Sequence, residues 1–316
     1  MSRGGSAEPV TAALLRDWPL PNADASGDKR ARGLVVCVGG SLALPGAMIL
    51  AGTAALRAGA GTVRLGLPRS IAVAVGVSIP EALVFGVATT RAGAIAAEAA
   101  AEVAARAAEA DVVLVGPGMV GSKSTPRFLD LLLPRLRHAR AVILDARALD
   151  GAAQVAEAVR ECSPRAIVTP HAGEMARMLG IRREDVEEHP LEAARRAAQT
   201  FQAVVALKGA RTLVVAPEGD TYCYQEGSIG LAMSGSGDAL AGIIAGLAAR
   251  GADATQAAVW GVYLHGTAGN RLGERVGRLG FLARELVDEV PAILADLPGR
   301  DVGSIRVPDQ MRSGAE

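Results

Sequence analysis

The sequence predicts an α/β protein built on a doubly wound, mainly parallel sheet, with helices on both faces and an antiparallel hairpin at its edge. Three observations carry this expectation. From Gly33 onward, short β-branched runs alternate with longer Ala- and Leu-rich segments, the pattern of strands joined by crossover helices. Most of the earlier runs are apolar at every position rather than alternately, as strands covered on both faces are. Two late runs, TLVVA and TYCY, are separated only by PEGD, a hairpin spacing.

In chain order, residues 1–32 mix Pro, Asp, Gly and Arg around one short apolar patch at 12–15 and read as a loosely attached N-terminal arm. Strands are predicted at LVVCV (34–38), TVRLGL (62–67), DVVLVG (111–116), AVILD (141–145), AIVT (166–169), AVVALKG (203–209), TLVVA (212–216) and TYCY (221–224). Helices are predicted between them over 46–58, 92–110, 126–136, 152–161, 174–179 and 191–200, and after the hairpin over 254–272 and 282–295. A further helix lies in SGSGDALAGIIAGLAARG, where Leu240, Ile243, Ile244 and Leu247 recur at the spacing of one buried face and Gly251 supplies the stop. Residues 298–316 are polar and read as a disordered tail, which leaves 33–297 as a single domain.

Composition narrows the partners. A chain of 316 residues that is half hydrophobic can bury one large core. Aromatic residues make up 3%, which argues against a base-stacking nucleic-acid platform. The 33 basic and 33 acidic residues cancel, so no global field draws the chain to nucleic acid or anionic lipid, and any anion site must be local. Cys37, Cys162 and Cys223 form no CxxC pair and read as buried thiols in a reducing compartment. With no signal-peptide pattern at the N-terminus and no apolar run long enough to span a bilayer, the expected location is the cytoplasm.

Four stretches could carry chemistry. GPGMVG (116–121) follows a strand and matches the dinucleotide fingerprint, with Asp145 at about the right distance beyond it. However, the helix start at Ser124, Thr125 and Pro126 comes after the glycines, which favours a loop that lets substrate approach the backbone, or a plain tight turn. In VTPHAGEMARML (168–179), His171 and Glu174 follow a strand at the carboxyl edge, where doubly wound sheets bind ligands. Either His171 touches a ligand, or Pro170 ends the strand and Glu174 simply favours the first helical turn. Lys208 ends another buried strand and could meet a phosphate or reach for solvent. In the fourth stretch, Gly235, Ser236 and Gly237 present backbone N–H groups at the positive end of a helix dipole, an anion cradle, with Asp238 beside it. Asp238 is either a helix cap or a base that takes the proton from a hydroxyl accepting a phosphoryl group.

Taken in order, RDWPLP (16–21), VGGSLALPGAMILAGTAALRAGAG (38–61), VGPGM, ILDARAL, TPHAGEMARML, KGART, GLAMSGSGDALAGIIAGL and GVYLHGTAG (261–269) resemble the NAD(P)H-hydrate dehydratases of the ribokinase-like superfamily. The resemblance implies repair of NADH or NADPH hydrated at the nicotinamide ring. ADP or ATP, with Mg2+, would phosphorylate the added hydroxyl, and phosphate would then leave. Carried over residue by residue, Asp238 would be the base. Ala47, Gly118 and His171 would touch the hydrate with it, and Lys208, Gly209, Ala210, Arg211, Thr212 and Gly237 would form the nucleotide side. No metal cluster is evident, so the ion would rest on phosphates and water. The resemblance further implies a homo-oligomer, such as a tetramer, and an epimerase on a separate chain.

Three departures stand out. Arg147 replaces an acidic residue of a common DAD motif. Ile229, Met233 and Ser234 replace residues of an Asn-containing segment and a TGG or SGG. Arg211 stands within KGART. The competing readings are a small-molecule kinase of the same superfamily, acting on a vitamin precursor or sugar and stopping after phosphoryl transfer, and a non-catalytic nucleotide-binding relative.

Overall fold

The structure, a computed structural model, describes residues 7–21 and 28–297; the expected tail at 298–316 lies outside the described residues. One ten-stranded sheet organises the chain. Its strands are β1 (Glu8–Pro9), β2 (Leu34–Val38), β3 (Thr62–Pro68), β4 (Leu83–Val87), β5 (Val112–Val115), β6 (Ala141–Leu144), β7 (Ala166–Val168), β8 (Val204–Leu207), β9 (Thr212–Val215) and β10 (Thr221–Tyr224). They are arranged in the order β1-β10-β9-β8-β7-β6-β5-β2-β3-β4. All neighbouring pairs are parallel except those made by β9, which runs antiparallel to both β8 and β10. The mainly parallel sheet and its antiparallel hairpin are therefore as predicted.

The apolar runs explain the layering. Along β2, Val35 and Cys37 enter one core and Val36 and Val38 the other, all fully buried. One face is covered by α1 (Ala12–Asp17), α2 (Gly46–Arg57), α3 (Arg69–Ser78), α11 (Ser236–Ala249), α12 (Ala254–Arg275) and α13 (Ala283–Asp296). The opposite face carries α4 (Ala99–Arg106), α5 (Ser124–Leu132), α6 (Arg147–Ala152), α7 (Ala156–Arg160), α8 (Ala172–Leu179), α9 (Arg183–Glu188) and α10 (Pro190–Phe201). Because all but two residues of α11 are buried, the single apolar face expected for it is too narrow. Gly242 and Gly246 seat it against α2, where a Cβ would run into the Ala51 and Ala55 carbonyls. That contact fixes the position of the α11 N-terminus.

Several expectations need correction. The N-terminal arm is not loosely attached over residues 7–21. β1 pairs with β10, Leu15 is fully buried, and the Trp18 ring stacks on Tyr222 at 5.8 Å. The Trp18 carbonyl accepts hydrogen bonds from Gln256 Nε2 at 3.3 Å and Trp260 Nε1 at 2.9 Å. Those partners lie more than two hundred residues away in the chain, so local composition carries no trace of them. Elements α3, β4 and α9 were not predicted. The helix expected over 92–110 is confined to α4, because Thr89 and Ile95 form a bridge before it. The helix expected over 152–161 is shortened to α7, and α6, which precedes it, was not predicted. Ser124 lies inside α5 and donates to the Ile95 carbonyl at 2.8 Å instead of capping the helix.

Candidate active site

The carboxyl ends of β6, β7 and β8 bring three polar side chains to one edge. Asp145 follows β6, the Thr169–Pro170–His171 segment follows β7, and Lys208 follows β8. The Lys208 N–H donates to the Pro170 carbonyl at 2.8 Å, and Lys208 and His171 form an isolated parallel bridge. These bonds extend the β7–β8 pairing past the strand ends and hold both side chains at the edge. The Lys208 ammonium donates to Asp145 Oδ1 at 3.0 Å and lies 3.9 Å from Glu174 Oε2. Thr169 Oγ1 donates to the same Asp145 oxygen at 2.7 Å. Asp145 is thus an anchor for Lys208, and the ribose-binding role that a dinucleotide fingerprint would give it is replaced by this pairing. Burial works against the charge on Lys208, but Asp145, Glu174 and Asp238 outweigh it and hold the ammonium above its ordinary pKa.

Helix α11 enters the same edge from the opposite face. Its N-cap is Gly235, at φ +88°, a left-handed conformation in which a Cβ would also strike Leu50 of α2. Ser236, Gly237 and Asp238 form the first helical positions; the Ser236 N–H donates to the Met233 carbonyl at 3.4 Å, whereas the Gly237 and Asp238 N–H groups precede the first intrahelical bond, from the Ala239 N–H to the Gly235 carbonyl. A Cβ on Gly237 would lie 3.1 Å from Lys208 Nζ, so the ammonium sits directly under the cradle. Asp238 makes no side-chain hydrogen bond or ion pair among the described residues. Burial, with the carboxylates of Asp145 and Glu174 and against the pull of Lys208, pushes its carboxyl up to about 7. The capping alternative for Asp238 is not realised.

The capping alternative for Glu174 is realised, and His171 shares in it. His171 is the N-cap of α8, where Nδ1 accepts from the Gly173 N–H at 3.0 Å and the Glu174 N–H at 3.3 Å, while Glu174 Oε2 accepts from the His171 N–H at 2.9 Å. Two N–H groups aimed at Nδ1 put the ring proton on Nε2. Burial lowers the His171 pKa further than Glu174 raises it, and Lys208, Arg177 and Arg183 add to the lowering, so the ring is a neutral Nε2–H donor.

The other candidates fall into two groups. Gly118, at φ +66°, approaches the first turn of α2 so closely that a Cβ would lie 2.8 Å from Ala47 Cβ; α2 in turn touches Gly235 through Leu50. Gly209, Ala210 and Arg211 form the exposed β8–β9 turn, and Thr212 opens β9. The glycines of GPGMVG form a turn that ends before α5 begins, so they open no helix. Arg147 pairs with Asp150 at 2.9 Å, which Arg177 also binds at 2.6 Å. Ile229 lies exposed on a short 3-10 turn, and Met233 packs partly buried on the α11 side of the sheet.

Sequence reasoning missed one pairing and one residue. The strand-end pairing of Asp145 with Lys208 had a signal, since both end buried strands. His265 had none: it lies half-buried within α12, with Nε2 2.9 Å from Ser236 Oγ, and burial lowers it to about 4. Among the described residues no group of three or more His, Cys, Asp or Glu side chains is spaced to hold a metal ion.

The geometry has counterparts in known proteins. A profile of the NAD(P)H-hydrate dehydratase family matches residues 35–292. An ADP-dependent (S)-NAD(P)H-hydrate dehydratase of Xanthomonas campestris is 43% identical over 297 residues, covering 92% of this chain and 96% of that protein. A bifunctional NAD(P)H-hydrate repair enzyme of Moorella thermoacetica is 40% identical, with 91% of this chain matching 54% of that protein. The structure of a Bacillus subtilis ADP/ATP-dependent NAD(P)H-hydrate dehydratase, co-crystallised with ATP and Mg2+, superposes with a TM-score of 0.76 at 28% identity, covering 93% of this chain and 99% of that one.

Proposed function

This chain belongs to the NAD(P)H-hydrate dehydratase family, and from that premise we propose the roles by which its residues carry out nucleotide-dependent dehydration of NAD(P)H hydrate, a metabolite repair reaction. The observation that carries the assignment is Asp238: a half-buried carboxyl without a hydrogen-bond partner, raised to about 7, at the rim of an N–H cradle with an ammonium beneath it.

Hydroxide is a poor leaving group, so the ring hydroxyl must first be made a better one. Asp238 takes the hydroxyl proton, and a pKa near the working pH suits a general base. The hydroxyl oxygen then attacks the terminal phosphorus of ADP or ATP, whose bridging P–O bond breaks to release AMP or ADP. The Gly237 N–H, with Lys208, stabilises the charge developing on the phosphoryl oxygens. Phosphate leaves under the push of the ring-nitrogen lone pair, and loss of the neighbouring carbon's proton restores the double bond. Ala47, Gly118 and the Nε2–H of His171 position the hydrate, while Gly209, Ala210, Arg211 and Thr212 flank the nucleotide. The charged residues at the edge form an anchored ammonium rather than a cation cage, so Mg2+ would be held by the nucleotide's phosphates and water.

The test is purified protein with hydrated NADH, Mg2+ and ADP or ATP in separate reactions. Return of the reduced nicotinamide's near-ultraviolet absorbance only when nucleotide is present is the expected outcome. Nucleotide consumption without that return would identify a kinase, and return without nucleotide would rule out phosphorylation. We further place the enzyme in the cytoplasm as a homo-oligomer, with hydrate epimerisation on another chain. Exposed Leu42 and Leu44, before α2, supply apolar surface for self-association, which light scattering would detect.

A further inference from the structure

The two outermost strands of the sheet differ in how they are protected. At one end stands β1, two residues long and made of a carboxylate, Glu8, and a proline, Pro9, both of which blunt an edge against further pairing. At the other end, among the described residues, stands β4, five residues long, with the sequence LVFGV and neither a charge nor a proline. An outermost strand presents a row of unpaired N–H and C=O groups, which natural sheets blunt or cover. An ion pair between the helices on its two faces, Arg69 of α3 with Glu102 of α4, is long at 3.9 Å and exposed. Pairs of that kind add little stability, so this one does not close the edge.

The helix beside β4 has the same character. Ile71 and Val75 turn α3 toward the core, and its outward positions Ser70, Val73, Ala74, Val77 and Ser78 are all exposed and uncharged. A helix face that meets water ordinarily carries charge. Val73 and Val77 are 81% and 77% exposed. With Gly76 they share one helical stripe, and Gly76 lies over β4, where an added Cβ would stand 3.5 Å from Val84. The apolar stripe is therefore continuous with the strand. On the strand's other face Leu83, which alternates with Val84, is 49% exposed. Charge returns only at the strand's two ends, and with opposite sign. Glu81 precedes β4 and Arg91 follows it, both exposed and neither in an ion pair among the described residues. Two copies of β4 laid antiparallel bring Glu81 of each toward Arg91 of the other, whereas a parallel pairing would set like charges together. The surface is thus complementary to itself about a two-fold axis.

We propose that α3 and β4 form a contact between two copies of this chain, with the β4 strands antiparallel and each α3 packed on its counterpart. This adds a second surface to the one at Leu42 and Leu44, and a tetramer of dihedral symmetry needs two. It does not depend on the reaction catalysed. The test is sedimentation velocity, with thermal melting, on the full chain and on variants of exposed residues. Val73→Glu combined with Val77→Glu should halve the wild-type mass and shift the melting temperature by no more than about 2 °C. Glu81→Arg alone should weaken self-association about tenfold, because the two-fold axis makes each contact twice. Glu81→Arg combined with Arg91→Glu should restore the wild-type affinity to within about threefold. A monomeric wild type overturns the proposal, as does an undiminished mass in the Val73 and Val77 variant. So does a Glu81→Arg chain that associates as tightly as wild type, or a double reversal that recovers nothing, since the strands would not then run antiparallel.

Discussion

Two helices, α8 and α11, begin at the same sheet edge and carry a carboxylate at the same position, the third residue of the first turn. At α8 it is Glu174, which closes a reciprocal capping box with His171. At α11 it is Asp238, whose N-cap is a left-handed glycine that offers no side chain to reciprocate. Both approach Lys208. Glu174 is occupied by its own helix, whereas Asp238 is left uncommitted and half-buried, and its carboxyl rises to about 7. Position relative to the helix dipole does not make a carboxylate catalytic; the absence of a competing hydrogen-bond partner does.

The largest effect that would sharpen this contrast is at Asp238. Asp238→Asn should lower kcat about a thousandfold with ADP affinity nearly unchanged, and wild-type kcat/KM should fall as pH drops below about 7, where the base is protonated. Its raised folded-state pKa also makes a stability prediction. The stabilisation from this group is complete below its unfolded value and is lost as pH rises through about 7. Asp238→Asn should therefore melt higher than wild type at pH 8, by on the order of 2 kcal/mol, with the difference closing on acidification. A robust Asn enzyme would break the comparison.

Next is Lys208→Met. Without the ammonium, Asp145 and Glu174 act unopposed on Asp238, so the pH at which activity appears should move further up. Activity at neutral pH should fall about a hundredfold, with weaker ADP binding; an unshifted pH profile would separate Lys208 from Asp238. The smallest effect belongs to Glu174→Gln, which keeps an acceptor oxygen for the His171 N–H. It should cost about 1 kcal/mol of stability by thermal melting and change kcat by less than about threefold. A loss comparable to that at Asp238 would make the two carboxylates equivalent.

Much of this arrangement was legible in the residues. Fully apolar runs such as VVLV and AVIL identified strands covered on both faces, and the PEGD spacing identified the hairpin, because side-chain periodicity and turn length are local properties. The cradle was visible because a helix start written in small residues exposes N–H groups whatever surrounds it. The anchoring of the arm and the contact between His265 and Ser236 were not visible, because each depends on partners distant in the chain. The two readings of GSGD show the division most plainly. The sequence by itself determined that a carboxylate would stand in the first turn of α11. Only the tertiary structure decided that it would not serve as a cap and would stand free for the proposed role of base, because Gly235 fits closely against α2 and Lys208, Asp145 and Glu174 are brought within electrostatic reach by strands distant in the chain.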